Sequence, residues 1–276
     1  MFYKHDNGFV RLNTKFVSEF LDYNPYDLPQ KTIRVKMAPG VTPDKVSHTL
    51  VDEENNIWDL TINDYTWAYY FNTKNYHSSM IEILGGNLTN VSMLSNTFFN
   101  CSALTSVKLW APEITTIANT FSGCYNLQSI SLYDSNKLTY AKGAFMNCTS
   151  LSSVKITDTS KLNNMDNMFV QCNSLVYPVP LNTSSVTSMN GMYWNCSSLG
   201  FVPNYDLRSL SPAGSVHCLG NAFNNCVNVS GGILDLYNQT KDTLTATASH
   251  QYTFKNCGIN NTYGAAELAQ IPSNWK

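Results

Sequence analysis

The residues of this chain best suited to chemistry are its eight cysteines and five histidines, which could bind a metal ion or act as nucleophiles. Cysteines or histidines that share a metal usually come in pairs a few residues apart. No C-x-x-C or H-x-x-x-H pair occurs here. His217 and Cys218 are adjacent and Cys226 follows, but a fourth ligand is missing. The spacing therefore predicts no metal site.

Seven of the eight cysteines belong instead to a repeat in which an aromatic residue precedes each cysteine by three positions. Successive cysteines lie 23, 24, 24, 24, 30 and 31 residues apart. The pairs are Phe98/Cys101, Phe121/Cys124, Phe145/Cys148, Phe169/Cys172, Tyr193/Cys196, Phe223/Cys226 and Phe254/Cys257. Such a period predicts a solenoid, because one coil cannot bury its apolar face alone. A cysteine in a core column is expected to be a buried free thiol.

The carboxylates that could act as acid and base recur at one place in the repeat, ten residues after the cysteine. This column holds Asp134, Asp158, Asn182 and Asp206. A glycoside hydrolase needs two carboxyl groups about 5–9 Å apart across a cleft, whereas Asp and Asn at a periodic position are typical of turns. The column therefore predicts turns. We expect no catalytic residues, no cofactor and no enzymatic activity.

Apolar columns on either side of the cysteine indicate the elements of one coil. After the cysteine, a run such as Leu127-x-x-Ile130-x-Leu132 alternates with period two and predicts a short parallel strand. Before it, apolar residues such as Ile114 and Ile117 are more widely spaced, which predicts a helical turn or an irregular arc. Asn and Gly recur five residues and one residue before the cysteine, where a left-handed backbone is expected.

These columns predict a mainly β and irregular solenoid, a right-handed stack of about seven coils of 23–31 residues with parallel strands. Pro178, Pro180 and Pro203 fall on or beside strand positions, so we expect weaker pairing in the fourth and fifth coils. We divide the chain into three parts. They are an amino-terminal β-rich cap or attachment domain (1–86), the solenoid (87–260) and a carboxy-terminal capping segment (261–276).

The amino-terminal region lacks the repeat. Alternating residues predict strands at 32–37, 57–62 and 81–84, and residues 1–28 are interpreted as an irregular attachment arm. Six aromatic residues of this region form a dense cluster: Trp58, Tyr65, Trp67, Tyr69, Tyr70 and Phe71. They either seal the first coil or form a patch that faces a partner or a sugar.

Charged residues make up 13% of the chain, about half of the usual share. Residues 1–86 hold 19 of them, so the solenoid surface should consist of Asn, Ser, Thr and Tyr. The absence of a basic patch argues against nucleic acid as a partner. The apolar stretches are too short and broken for a transmembrane helix. The first residues lack the apolar segment of a secretory signal, so export by the usual route is not expected.

The repeat resembles the BspA-like leucine-rich repeat family. The resemblance covers residues 88–260 and is clearest in residues 117–132, where Phe121, Cys124 and Leu127 occupy the family's columns. It implies a leucine-rich-repeat solenoid of the kind found in bacterial surface adhesins, some protist surface proteins and proteins of phages of gut bacteria. The segments 32–36, 56–60 and 266–276 look like members from phages of gut Bacteroidales.

This resemblance and the missing signal favour a phage virion surface protein or one associated with a head or tail fibre. We expect it to be non-enzymatic and to adhere to a host-surface or mucosal glycan or protein. It would assemble in the host cytoplasm, form a homo-oligomer and contact other virion proteins through its amino-terminal region. The alternative is a bacterial cell-surface adhesin or scaffold of the same family. No membrane insertion is expected.

The candidate ligand-binding residues lie on the predicted outward side of the strands. They are Trp110, Tyr133, Lys108, Lys155, Tyr177, Phe201 and Tyr205. Residues that flank buried Val107, Ile130 and Val154 must point outward, because alternate side chains take opposite faces. Trp110 and Tyr133 share a column in adjacent coils, so their rings should lie about 5 Å apart. They either bind sugar rings or only stack on each other and stiffen the sheet.

Overall fold

The computed structural model describes residues 2–5, 8–11, 28–43, 46–61, 78–210 and 217–276. The strands in these ranges are β1 (Phe2–His5), β2 (Gly8–Arg11), β3 (Thr32–Met37), β4 (Ser47–Asp52), β5 (Ile57–Thr61), β6 (Met80–Asn87), β7 (Ser106–Trp110), β8 (Ser129–Tyr133) and β9 (Ser153–Ile156). The helices there are α1 (Ile233–Thr240), α2 (Thr247–His250) and α3 (Thr262–Ala269), followed by a 3-10 turn (Ser273–Trp275). None of the helices in these ranges has the length and hydropathy needed to span a bilayer.

Seven strands form one sheet in the order β4-β5-β3-β6-β7-β8-β9. Strand β3 pairs antiparallel with β5 and β6, and β4 pairs antiparallel with β5. From β6 to β9 the strands are parallel, so the amino-terminal strands extend the sheet of the coils. One continuous hydrophobic core runs beneath the sheet from Ile33 to Trp275.

The three strands predicted in the amino-terminal region are confirmed as β3, β5 and β6. The prediction that residues 1–28 are irregular is wrong for residues 2–5 and 8–11, because β1 and β2 pair antiparallel with Phe2 opposite Arg11. The sequence Asn7-Gly8 is a typical signal of a tight hairpin. The alternation of apolar and polar residues on either side of it is too short to predict a strand. Strand β4 was also not predicted.

The strands of the coils follow the predicted alternation. In β7, Val107 and Leu109 are buried whereas Ser106, Lys108 and Trp110 are partly exposed, and β8 repeats this pattern. Across the described ranges, no strand follows β9, so fewer coils carry a strand than the seven that we predicted.

The fourth and fifth coils have no strand. This agrees with the weaker pairing predicted from Pro178 and Pro180, because proline has no N–H group to donate to a strand ladder. The coils still pair through a few backbone hydrogen bonds near the position where the strand would begin. Gly200 N donates to Val176 O at 2.8 Å, and Ser230 N donates to Gly200 O at 2.7 Å. The stack therefore continues through these coils without a regular sheet.

The other half of each coil is an arc of consecutive turns, so the irregular arc is the correct one of the two predicted alternatives. Every second amide of the arc donates to a carbonyl of the next coil. The bonds between the second and third arcs are Ile117 N to Tyr140 O (3.0 Å), Asn119 N to Lys142 O (2.9 Å), Phe121 N to Ala144 O (2.9 Å) and Gly123 N to Met146 O (2.8 Å). This ladder pairs the backbone of each arc with that of the next and so fixes the spacing of the coils on this side.

Left-handed backbone occurs in the two predicted columns. The residues with positive φ in the first column are Asn96, Asn119, Gly143, Asn167, Gly191, Asn221 and Tyr252. Those in the second column are Asn100, Gly123, Asn147, Gln171, Asn195, Asn225 and Asn256. Asn and Gly dominate because they tolerate this conformation better than other residues do.

The aromatic and cysteine columns form the centre of the core. Neighbouring rings of the aromatic column stack with centroids 5.3–6.0 Å apart. The cysteine thiol of one coil donates to the carbonyl of the aromatic residue one coil earlier, as Cys124 Sγ does to Phe98 O at 3.1 Å. All eight cysteines are buried and free, which confirms the prediction of buried thiols.

We expect the cysteines to be unreactive in the native protein. Burial raises the pKa of Cys101, Cys148 and Cys196 to about 12, and the thiolate is the reactive species. Titration with a thiol reagent near neutral pH should detect few groups in the native state and all eight in denaturant. Ile259→Cys, at an exposed position, should add one fast-reacting thiol. Rapid labelling of the native wild type would contradict the prediction.

Tyr193 takes the place of phenylalanine in the fifth coil and compensates for the neighbouring prolines. Val179 lies between Pro178 and Pro180, where no strand satisfies its backbone. Its amide donates to Tyr193 Oη at 3.2 Å, and its carbonyl accepts from Tyr205 Oη at 2.7 Å. The two hydroxyls lie 2.7 Å apart. Two tyrosine hydroxyls thus replace the ladder at this position.

Uncharged polar side chains satisfy backbone carbonyls along the surface of the solenoid. Thr139 Oγ1 donates to Thr115 O at 3.1 Å, and Asn126 Nδ2 donates to Ser102 O at 2.8 Å. In each case the acceptor lies one coil before the donor. This arrangement confirms the predicted Asn, Ser and Thr surface and explains why the solenoid needs few charges.

Residues near the carboxyl terminus cover the last coil. Phe254 N donates to Trp275 O at 2.9 Å, and the indole of Trp275 stacks on the rings of Phe254 and His250 at 6.2 and 4.0 Å. Glu267 of α3 accepts hydrogen bonds from the first two amides of α1, at 2.8 and 3.2 Å. A carboxylate suits a helix amino terminus because it satisfies unpaired amides and complements the helix dipole.

His250 should make the stability of this end depend on pH. Burial lowers the pKa of His250, and its Nδ1 has no hydrogen-bond partner in the described part of the chain. Because the folded-state pKa lies below the unfolded value of about 6.5, the unfolded state binds more protons in acid. The contribution of the neutral imidazole to stability is therefore complete above the unfolded pKa and declines as the pH falls below it.

Thermal melts between pH 8 and pH 5 test this expectation. His250→Phe keeps an aromatic ring beside Trp275 and should lose less stability than the wild type as the pH falls. Tyr263→Phe, at a position that is 77% exposed, should follow the wild type. Equal pH dependence in all three proteins would show that His250 is not responsible.

Candidate ligand-binding face

The candidate site lies on the outward side of β7, β8 and β9. Its side chains form two rows that cross the strands. The first row is Lys108, Ser131 and Lys155, and the second row begins with Trp110 and Tyr133. The register of the parallel strands aligns each row, because equivalent residues of successive coils are Cα partners. The buried residues between them, such as Leu109 and Leu132, keep both rows facing outward.

Trp110 and Tyr133 form the centre of this face. Their ring centroids lie 4.5 Å apart with an interplanar angle of 20°, which confirms the predicted stacking at about 5 Å. Both side chains are partly exposed. Lys155 Nζ lies 5.1 Å from the centroid of Tyr133, within the range of a cation–π interaction. Apolar ring surface, a hydroxyl from Ser131 and an ammonium group thus share one face.

Tyr177 and Phe201 form a second aromatic pair. They are 72% and 41% exposed, and their rings meet edge to face with centroids 6.5 Å apart. Aligned on the cysteine, they continue the column of Ser106, Ser129 and Ser153 and not that of Trp110. The structure therefore brings the predicted aromatic residues together as two separate pairs, in the first two coils and in the fourth and fifth.

The prediction that Tyr205 lies on the ligand-binding face is wrong. Its side chain is only 5% exposed, and its hydroxyl donates to Val179 O. Burial raises the pKa of the Tyr205 hydroxyl. Period-two alternation indicates the direction of a side chain only within a strand, and the fifth coil has no strand at this position.

The carboxylates of the turn column hold turns, as predicted. Asp158 Oδ1 accepts from Ser160 N at 2.8 Å, and Asp206 Oδ1 accepts from Arg208 N at 3.2 Å and Nε at 2.9 Å. These bonds favour the ionised form. The backbone amide of Ser160 lowers the pKa of Asp158, and the Arg208 side chain lowers the pKa of Asp206 to about 2. Within the described ranges, no three His, Cys, Asp or Glu side chains are placed to hold a metal ion.

Of the six residues of the predicted aromatic cluster, only Trp58 lies in the described part of the chain. It is largely buried, its indole donates to Asn56 Oδ1 at 2.8 Å, and the ring of His48 meets it edge to face at 5.3 Å. The remaining members of the predicted cluster, at positions 65–71, lie outside the described residues. Whether they seal a coil or face a partner stays a prediction.

An ion pair between β3 and β5, in the amino-terminal part of the sheet, was not predicted from the sequence. Arg34 Nε and Nη2 lie 2.7 and 2.9 Å from the two carboxylate oxygens of Asp59, which is a bidentate geometry. The alternation of buried Ile33 and Val35 placed Arg34 on the opposite side of β3. The partner could not be found in this way, because it lies 25 residues away on a strand that pairs in the antiparallel sense.

The BspA-type leucine-rich repeat model matches residues 62–200 in six copies, which is half of the chain. The chain belongs to the BspA-type leucine-rich repeat family. Repeats of this family typically form non-enzymatic scaffolds, and membership indicates a surface, adhesin or scaffold protein. No curated protein matches the chain in sequence.

Similar solved structures include two bacterial proteins. A leucine-rich repeat protein of T. pallidum is 22% identical with a TM-score of 0.42, over 68% of this chain and 79% of that one. A leucine-rich repeat protein from Eubacterium ventriosum is 24% identical with a TM-score of 0.32, over 44% of this chain and 35% of that one.

Proposed function

We propose that this BspA-type protein is a non-enzymatic adhesion protein whose outward sheet face binds a host-surface or mucosal glycan. The observation that supports this most is the stacked pair of Trp110 and Tyr133. Side by side, the two rings form an apolar ridge, and Ser131 and Lys155 supply polar groups next to it. Sugar rings combine apolar faces with polar rims, so this combination of surfaces is complementary to them.

The second aromatic pair supports an extended ligand. Tyr177 and Phe201 are exposed and lie on the fourth and fifth coils. With coils spaced by about 4.8 Å, Tyr133 and Tyr177 are about 10 Å apart along the stack, and their four-residue offset within the coil separates them by about 13 Å along the strand direction. An oligosaccharide that crosses the coils could contact both pairs, whereas a single sugar would contact one.

Removing both rings of the first pair should weaken binding. We expect Trp110→Ala/Tyr133→Ala to bind host cells or an arrayed glycan about thirtyfold more weakly, because truncation of an aromatic hot spot costs about 2 kcal/mol or more. Tyr140→Ala is the matched control, since Tyr140 is also exposed but lies on the arc and not on the sheet. Circular dichroism and a thermal melt establish that each variant folds. Unchanged binding by the folded double variant would leave these rings with a stacking role only.

We further propose that the adhesion protein is carried on a phage virion, as a homo-oligomer that contacts other virion proteins through residues 1–86. The likeness of segments 32–36, 56–60 and 266–276 to gut-phage members supports this location. Membership of the family supports a bacterial cell-surface adhesin or scaffold as the second candidate. Mass spectrometry of purified particles distinguishes the two. Peptides found in the bacterial surface fraction and missing from particles would favour the second candidate.

A further inference from the structure

We propose that the glycan bound by the outward sheet face is anionic, and that its acid group binds over Ser131 between Lys108 and Lys155. This inference rests on the proposed glycan binding and specifies the class of sugar. The ligand would carry a carboxylate, as sialic and uronic acids do, or a sulfate. Both groups present several oxygen acceptors to ammonium and hydroxyl donors. We call Lys108, Ser131 and Lys155 the cationic row, and Trp110 and Tyr133 the aromatic pair.

The outward side of β7, β8 and β9 carries two positive charges and no carboxylate. Besides the cationic row and the aromatic pair, its outward positions hold Ser106, Ser129 and Ser153. Asp134 and Asp158 come after β8 and β9 and belong to the turn column beyond the strands. Glu82 on β6 is three strand spacings, about 14 Å, from the strand of Lys155. A sugar acid would therefore meet a positive potential on this part of the sheet.

Lys155 differs in its contacts from other basic residues of the solenoid. Lys137, Arg208 and Lys241 each contact a carboxylate. In the described part of the chain, no carboxylate lies within ion-pair distance of Lys155. Its Nζ instead lies 5.1 Å from the centroid of the Tyr133 ring, beside the aromatic pair. An ammonium group that rests on a ring keeps its hydrogen-bond donors for an external anion.

The Ser131 hydroxyl supplies a further donor at the centre of the cationic row. Elsewhere on the surface, serine hydroxyls donate to carbonyls of the preceding coil, as Ser152 Oγ does to Gln128 O at 3.2 Å. Within the described ranges, Ser131 Oγ makes no such bond. Ser131 is partly exposed and is the Cα partner of both lysines of the row. Its hydroxyl can therefore donate to an anion that lies between the two ammonium groups.

The spacing between the cationic row and the aromatic pair suits one sugar with an acid substituent. They are two residues apart along the strand, which is about 7 Å. A sugar ring on the aromatic pair would thus project a substituent over the cationic row. Across the strands, the two lysine positions are two spacings apart, about 10 Å. Lysine side chains are long and flexible, so those from both sides can reach one anion between them.

Matched glycans that differ in the acid group alone test the proposal. One pair is sialyllactose and lactose, and the other is a sulfated galactose oligosaccharide and its unsulfated form. The full-length wild type should bind the acidic member of at least one pair about tenfold more tightly, because hydrogen bonds to charged groups contribute about this much. The pair that shows this preference identifies the acid group. Added salt should reduce the preference, because ions screen exposed charges.

Charge variants locate the preference on the sheet. Lys155→Gln should lower the affinity for the acidic glycan about tenfold, and Lys108→Gln should act in the same direction. Lys155→Arg keeps the positive charge and the contact with the ring, so it should retain most of the affinity. Lys142→Gln is the matched control, because it removes the same charge from an exposed position on the arc of the same coil. Circular dichroism establishes that each variant folds.

Three results would overturn the inference. If acidic and neutral glycans bind equally and Trp110→Ala/Tyr133→Ala weakens both, the proposed glycan binding stands but its ligand is not specifically anionic. Equal losses in Lys155→Gln and Lys142→Gln would indicate an effect of net charge and not a site on the sheet. If the folded wild type binds no member of either pair, the result counts against the proposed function as well.

Discussion

Phe145→Ala should lower the free energy of unfolding by about 3–5 kcal/mol, the usual cost of truncating a large buried side chain. Phe145 is fully buried, and its ring lies between those of Phe121 and Phe169 at 5.8 and 5.4 Å. The change removes apolar contacts and leaves a cavity. The neighbouring coils cannot move together to fill it, because the backbone hydrogen bonds of the arcs fix their spacing.

Urea denaturation measures this loss, with Tyr177→Ala as the control. Tyr177 is also aromatic and lies one coil further along, but it is 72% exposed, so its truncation should change the stability by about 0.5 kcal/mol or less. A loss near zero for Phe145→Ala would mean that the aromatic column is not the core. A weaker dependence of the unfolding free energy on urea concentration would indicate that the coils on either side of Phe145 unfold separately.

Gly123→Ala should cost about 1.5–3.5 kcal/mol, from two contributions. Gly123 has a φ of 77°, in the left-handed region, where a side chain costs about 1–2 kcal/mol. In addition, a Cβ atom at this position would lie 1.9 Å from Asn100 Oδ1 of the coil before. Because this oxygen is the end of the exposed Asn100 side chain, which can rotate away, relieving the overlap costs about 0.5–1.5 kcal/mol more.

Gly40→Ala separates the two contributions. Gly40 has a nearly identical φ of 76°, but a Cβ atom there would meet nothing within 4 Å. Its substitution should therefore show the backbone cost alone. The exchange Asn100→Gly/Gly123→Asn should recover most of the loss, because it reverses the order of a large and a small residue in the same column. Equal losses for Gly40→Ala and Gly123→Ala would show that packing between coils contributes nothing.

The coil could be predicted from the sequence because its repetition supplies independent copies of one environment. A single Phe or Cys has many possible roles. The role that seven copies at the same position of the repeat have in common is a place in a buried column of the core. The outward direction of Trp110 and Tyr133 followed in the same way, from strand alternation and from the register that the period imposes. The family match in residues 62–200 covers much of this repeating part.

Predictions failed where the repeat ends or is interrupted. Tyr205 was placed outside because strand alternation was carried past Pro203, where the structure has no strand. The hairpin of β1 and β2 and the edge strand β4 lie in the amino-terminal region, where each pattern occurs once. A single short alternation of polar and apolar residues is too weak to distinguish a strand from a loop.

The sequence by itself determined the local features of this protein: the period, the buried columns, the left-handed turns and the exposed row that contains Trp110. These depend on residues close in the chain or on neighbouring copies of one motif. Only the tertiary structure decided the pairing of Arg34 with Asp59, the burial of Tyr205 against Val179 and the position of β4 at the edge of the sheet. Each of these depends on which distant segments meet. That choice is made by the packing of the whole core, which no single stretch of sequence encodes.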